Sequence, residues 1–254
     1  MWNTLIVDPM LNTLLWIYNL VGHNFGWAII VFTLLIRLLV YPLTKQQLEG
    51  AEAMQKLQQD PRWKKIQEKY KNDREKLAQE QMRLYKELGV NPFASCLPTI
   101  VQFGVLFGLY YAVIKGLAHA PVELLDLHKH IYPIFDTAKL IPLNSHFLWM
   151  DLGRPESLHI PGIPFGIPTL AILVGITSYM QAKIMTPTSG GSGQQNAMMG
   201  QMMTIYMPLF LFYLTLTFPA GLGLYFFMSN LATIGQYALM GRLDMKQMFS
   251  LRQG

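Results

Sequence analysis

From residue 184 to residue 241 the chain runs for 58 residues without a single aspartate, glutamate, lysine or arginine. Helices of a soluble domain need a charged outer face, so a stretch of this length has to be hidden in a bilayer. Composition agrees. Of 254 residues, 52% are hydrophobic and 14% charged, against about 25% charged in ordinary soluble domains. The apolar residues are gathered in blocks, which predicts an all-α, polytopic membrane protein.

A helix needs roughly 20 mostly apolar residues to cross a hydrocarbon core about 30 Å thick. Five transmembrane helices are expected: a first span over 23–44, interrupted only by Arg37; a second over 93–115; a third over 163–183; and a fourth and fifth within 199–241. The last two divide at Pro219-Ala220-Gly221, a turn so short that it implies an antiparallel hairpin. Residues 1–22 mix Leu5, Leu11 and Leu14 with Asp8, Asn12 and Asn19. They predict an amphipathic helix lying in the membrane interface and broken at Pro9, with a sixth span as the alternative. Between the spans lie a helical hairpin (45–92), an outer loop (116–162) and a short loop (184–198), with a tail over 242–254.

The basic residues orient this arrangement. Five spans put 15 lysines and arginines on the side of the hairpin, the short loop and the tail, and four on the other side. Basic loops are cytoplasmic, so the N-terminus is expected outside and the C-terminus in the cytoplasm. The net charge of +5 is read as orientation, and no nucleic-acid-specific binding is expected. No basic residue precedes Arg37, so no signal or transit peptide is expected and the chain reads as mature. Cys96 is the one cysteine, which excludes an intramolecular disulfide.

In the cytoplasmic segment, Asp60-Pro61 has the form of an N-cap followed by proline at the first helical position. Trp63, Ile66 and Tyr70 share helical spacing, as do Leu77, Leu84 and Leu88, and Asn72-Asp73 suits the turn between them. The seam is thin, so the hairpin is expected to be mobile, and its basic surface could meet anionic lipid or a ribosome. The outer loop holds five of the six histidines, but without a helical pair at ligand spacing no metal site is expected. The loop reads as an extracytosolic cap, with Tyr132, Phe147 and Trp149 near the lipid interface.

Arg37 is the most informative residue. An arginine at a span's centre costs roughly 2.5–3.5 kcal/mol on insertion scales, so it normally has a partner or a wet cavity. None of the five spans holds an acid. Snorkelling toward the nearby cytoplasmic face is one reading. The other is a hydrated groove with Thr33, Gln102, Ser229, Asn230 and Gln236, whose unpaired charge would attract acidic segments. The methionines at 198, 199, 202, 203 and 207 and the run Tyr225-Phe226-Phe227 suit either a promiscuous apolar surface or plain packing. There is no phosphate loop, no nucleophile elbow and no ionisable residue in the last two spans. An ATP-driven motor, a hydrolase and a proton relay are therefore disfavoured, and no cofactor is called for.

Four segments carry a family resemblance: FTLLIRLLVYPLTKQQ (32–47), EKYKND (68–73), LYKELGVNPFASCLPTIVQFGVLFGLYYAV (84–113) and FPAGLGLYFFMSNLATIGQY (218–237). In order and spacing they resemble the YidC-type membrane protein insertases, whose counterparts are the mitochondrial Oxa and thylakoid Albino proteins. Cys96 falls in the family's NPxxxCLP motif. The resemblance implies a bacterial plasma-membrane insertase and chaperone, not an enzyme. Its five-span core would enclose a hydrophilic groove open to the cytoplasm and to lipid. It implies that Arg37 is the groove arginine and that Thr33, Gln102, Leu106, Tyr225 and Phe226 line the substrate path. Trp63, Tyr70, Lys71 and Arg74 are the residues expected to capture clients on the hairpin. Nascent membrane proteins are the implied clients, with the Sec translocon and the ribosome as implied partners; the tail RLDMKQMFSLRQG is short and only weakly basic, which argues against ribosome docking through the tail. The large extracytosolic domain of Gram-negative members and the lipoprotein signal of many Gram-positive ones do not occur in the sequence. The competing reading is a small-anion transporter or channel built on Arg37, though no internal repeat supports it.

Overall fold

A computed structural model describes residues 3–70, 73–88, 97–117, 130–133, 143–158, 166–185 and 202–241. A π-helical turn, Asn3–Val7, leads into helix α1, Asp8–Leu20. Pro9 sits in the first turn of α1, where a missing N–H is harmless, so it opens the helix and does not break it. Leu11, Leu14, Leu15 and Tyr18 recur at helical spacing and form one buried stripe against α2 (Phe25–Leu39) and α6 (Leu97–Gly116). The chain then turns sharply. Gly22 and His23 both have positive φ, and the segments Thr4–Leu20 and Phe25–Leu39 meet at 118°. Asn24 caps α2 by accepting from the N–H groups of Gly26 and Trp27 at 3.0 and 3.2 Å.

The expected first span, 23–44, is not one continuous helix. Helix α2 stops at Leu39, Val40 forms a turn, and α3 (Tyr41–Gln59) begins with Pro42 in its first turn. Proline lacks the N–H that would continue the ladder of α2 but is tolerated at a helix start. Residues 45–59 therefore belong to α3. The hairpin proper is α4 (Pro61–Lys69) and α5 (Arg74–Glu87). The helix within the expected third span, 163–183, starts later than that span. Gly166–Pro168 is extended backbone, and Ile167 exchanges two 2.9 Å hydrogen bonds with Leu158. Helix α7 (Thr169–Met185) starts only after Pro168. A second π-helical turn, Met202–Tyr206, precedes α8 (Met207–Thr217), and Phe218-Pro219 joins it to α9 (Ala220–Leu239).

Among the described residues no single helix is both long and apolar enough to cross a membrane by itself; the bent pair of α1 and α2 meets that measure jointly. Helix length alone thus does not delimit five crossings. Helix α9 is the axis of the bundle. It packs on α2 and α7, burying Leu222, Leu224, Tyr225 and Phe226. The α8–α9 pair and α7 approach closely at Gly223, where a Cβ would lie 2.6 Å from the Thr215 methyl and 2.8 Å from Leu170 Cδ2.

Residues 143–158 clasp one end of this bundle. They carry a small antiparallel hairpin, β1 (His146–Phe147) and β2 (Met150–Asp151). Phe25 N–H donates to the Asn144 carbonyl at 3.3 Å, Gly221 N–H to that of Leu152 at 2.9 Å, and Ala220 N–H to that of Arg154 at 2.7 Å. The buried Glu156 accepts from Leu170 N–H (3.0 Å), Thr169 Oγ1 (2.7 Å) and Trp149 Nε1 (2.9 Å), capping α7 from a distance. Three helix N-termini are thus tied to one short segment.

Candidate functional site

Arg37 lies in the last turns of α2, facing α9. Its Nε donates to Ser229 Oγ at 3.1 Å and its Nη2 contacts the same hydroxyl. Two turns further along α9 comes Gln236, whose Nε2 donates to the Arg37 carbonyl at 2.9 Å. That bond satisfies a carbonyl near the helix end. Gln236 Oε1 is buried without a hydrogen-bond partner among the described residues. Among the described residues no carboxylate comes within ion-pair distance of Arg37. The guanidinium is half-buried and held by a hydroxyl, and no charge among the described residues compensates its own.

The other residues expected around Arg37 divide into groups. Tyr225 is buried on α9 one turn from Ser229, and its hydroxyl accepts from Gln102 Nε2 of α6 at 2.6 Å. Leu106, one turn further along α6, is half-buried against the same core, as Phe226 is fully. Thr33 is fully buried and donates back to the Ile29 carbonyl of its own helix at 2.6 Å, so its hydroxyl is already used. Asn230 turns the other way. Its Nδ2 donates to Ser178 Oγ at 2.8 Å and to Thr177 Oγ1 at 3.2 Å on α7. It joins α9 to α7 and not to the Arg37 cluster. Adjacent residues of a helix point about 100° apart, so Ser229 and Asn230 address different neighbours. Thr177 and Ser178 escaped the sequence reading because serine and threonine are unremarkable in an apolar helix.

The hairpin has its own small core of Trp63 and Leu84, with Ile66 and Tyr85 packed against it. Tyr70 is half-buried, and Lys69 Nζ stands 5.1 Å from its ring. Leu88, expected in the seam, is exposed. Helix α5 ends at Glu87, and Tyr85 takes the place in the cluster. Lys71 lies outside the described residues, and of Arg74 only the helical backbone is described. Asp60 caps α4 through Arg62 N–H (2.8 Å), and Asp73 caps α5 through Lys76 N–H (3.1 Å). The Arg62 side-chain hydrogen bond holds the Asp60 carboxyl below the usual carboxylate range, as the Lys76 N–H does for Asp73. Burial pushes the Tyr85 phenol up.

At the opposite end, Phe147 of the outer loop is buried against α2 and so does not face lipid, whereas Tyr132 and Trp149 remain half exposed. His130 pairs with Asp8 at 2.7 Å, while Asn12 donates to the His130 carbonyl and accepts from Tyr132 N–H. Asp8 and Asn12 of α1 therefore hold residues 130–132. Among the described residues no cluster of three metal-ligating side chains occurs.

A helical bundle with many large apolar side chains on its outside and a half-buried arginine bonded to a serine hydroxyl has the character of a membrane protein. Comparison with known proteins narrows this. The family described as 60Kd inner membrane protein matches residues 16–247. Over 251 residues the chain is 34% identical to the membrane protein insertase MisCA of Bacillus subtilis, spanning 97% of this chain and 81% of that protein. It is 37% identical over 239 residues to the membrane protein insertase YidC of Syntrophobacter fumaroxidans, spanning 92% of this chain but 37% of that longer protein. The crystal structure of an active YidC insertase with its first transmembrane domain resolved shares the fold, with a TM-score of 0.54 at 24% identity. That match covers 91% of this chain and 46% of the other. The chain belongs to the YidC family of membrane protein insertases.

Proposed function

We propose that the protein receives nascent membrane proteins from the cytoplasm and releases their transmembrane segments into the bilayer, without covalent catalysis. The observation that carries this reading is Arg37, half-buried and bonded to Ser229 and Gln236 with no carboxylate among the described residues to neutralise it. In the proposed topology five helices cross the membrane, the N-terminus is outside, and residues 45–92 and the tail are cytoplasmic, so that the first residues of α3 complete the crossing begun by α2. A client first touches the hairpin around Trp63, Tyr70, Lys71 and Arg74. Its polar, often acidic, leading tail is then held near Arg37, with Gln102, Tyr225 and Ser229 as neutral partners. Its apolar segment leaves along α2, α6 and α9. Thr33, Leu106, Phe226 and Gln236 border this path, while Asn230 stiffens its back wall. The Sec translocon, the ribosome and anionic lipid are partners that this cycle would use.

The energetics do not require a nucleotide. Twenty apolar residues at about −0.3 to −0.6 kcal/mol each release roughly 6–12 kcal/mol on entering lipid. Carrying one charge through costs about 2.5–3.5 kcal/mol on the same scale, which a polar site part-way across reduces. A membrane potential adds about 2.3 kcal/mol per negative charge moved outward for each 100 mV. Arg37→Ala should slow insertion of single-span clients with acidic tails into proteoliposomes, and Arg37→Lys should keep much of the activity. Equal insertion by wild type and Arg37→Ala would refute the role given to the charge.

A further inference from the structure

The two residues that turn β1 into β2 are Leu148 and Trp149. Turns of this length are ordinarily built from Asn-Gly, Asp-Gly or glycine pairs, because positive φ is required. Leu148 adopts a φ of +54° and is 75% exposed. In water a leucine there is disfavoured twice, by its backbone and by its bare side chain. Trp149 is half exposed, and its one polar atom is turned inward to Glu156, so the indole presents only hydrocarbon outward. Trp27, in the first turn of α2, is also half exposed, and its ring meets Phe147 edge-on at 5.8 Å. Trp16 and Leu20 of α1 and Leu38 of α2 are further large apolar side chains left exposed on these two helices. Following β2 in the chain comes the exposed Arg154, paired with Asp151 at 3.8 Å. Apolar tip, tryptophans, then charge is the sequence of environments found on passing outward through a membrane interface.

We infer that the Leu148-Trp149 tip, together with Trp27, is an anchor embedded in lipid at the interface opposite the basic hairpin, and that it sets the depth of α2. Arg37 lies 10 residues beyond Trp27, which is about 15 Å at 1.5 Å per helical residue. That is half of a hydrocarbon core about 30 Å thick. An anchor at Trp27 and the adjoining tip thus keeps the cation near mid-depth, where an acidic tail gains most from it. This rests on the proposed crossing of α2 but on no client protein.

The test uses the full chain in vesicles of phosphatidylethanolamine and phosphatidylglycerol, with Cys96→Ser removing the native thiol. Leu148→Cys carries an environment-sensitive fluorophore. Leu38→Cys serves as the reference in lipid and Arg83→Cys as the reference in water. The anchor predicts that doxyl-labelled lipid quenches the probe at 148 as it does at 38, and that iodide reaches it far less than at 83. Iodide quenching at 148 equal to that at 83 would overturn the inference. So would protection from iodide without doxyl quenching, which would mean a protein covers the tip. Because no client is present, either failure leaves the Arg37 insertion assay to judge the proposed function separately. Leu148→Asn, which retains the turn because asparagine tolerates positive φ, should shift the Trp149 and Trp27 emission toward the red in the same vesicles. Unchanged emission would also count against the anchor.

Discussion

At the scale of single residues, the chemistry of the bundle is decided by which way each polar side chain turns. Ser229 accepts from the Arg37 guanidinium, whereas Gln236 serves only the Arg37 backbone and leaves its own Oε1 unmatched. Hydrogen bonds to a charged group are worth about 1.5–3 kcal/mol, and an unsatisfied buried acceptor costs about 1–3 kcal/mol. Ser229→Ala should therefore lower thermal stability in detergent clearly. Gln236→Ala should have a smaller effect, because the lost cap on the Arg37 carbonyl is partly offset by removal of the orphan oxygen. Comparing the two unfolding midpoints checks this; an equal loss would mean that Gln236 Oε1 is satisfied after all. Arg37 itself was legible in the sequence because a charge in an apolar run is rare. The partition of its neighbours was not. Ser229 and Asn230 are adjacent in the sequence yet serve α2 and α7 respectively, and only the rotation of α9 against both decides that.

Among the elements, the hairpin stands apart from the bundle in its physics. Its helices are polar, with a core of two buried side chains, so its stability leans on caps more than on burial. Both caps are carboxylates held below their ordinary range. A group whose folded-state pKa is depressed contributes stability above its unfolded value, about 3.9 for aspartate, and loses it as pH falls through the folded value. Amide protection over 61–87, corrected for intrinsic exchange, should thus hold steady from neutrality to about pH 4 and decline below it. Asparagine also caps helices but does not titrate in this range, so the pair Asp60→Asn and Asp73→Asn should blunt that decline. An unaltered decline would assign it to other carboxylates. The cap at Asp60-Pro61 could be read from the sequence because capping is local. The ends of α2 and α7 could not. An apolar run is equally compatible with helix and with the extended stretch at Gly166–Pro168, and there a backbone pairing with distant Leu158 prevails. The distant capping of α7 by Glu156 was invisible for the same reason: its partners lie 13 and 14 residues away across a proline-rich loop.

Over the whole molecule, the described residues divide into two separate apolar clusters, one filling the bundle of α1, α2, α6, α7 and α9 and one confined to α4 and α5. The two clusters share no residue, and α3 is the arm between them. The bundle is closed at its far end by the clasp of residues 143–158, which binds the starts of α2, α7 and α9. None of these bonds involves the hairpin. Removing the hairpin therefore subtracts little from what holds the bundle together, since distant sites without shared partners contribute nearly independently. Replacing residues 55–86 by a short flexible linker should leave the unfolding midpoint of the remaining protein within a few degrees of wild type. The same deletion should strongly reduce crosslinking from Phe226 to a ribosome-bound nascent chain, because clients would arrive without prior contact on the hairpin. The two readouts separate the roles. A collapsed midpoint would show that the hairpin supports the fold. Full crosslinking in a stable variant would show that clients reach α9 without it, and the hairpin would lose its assigned part in capture while Arg37 kept its own.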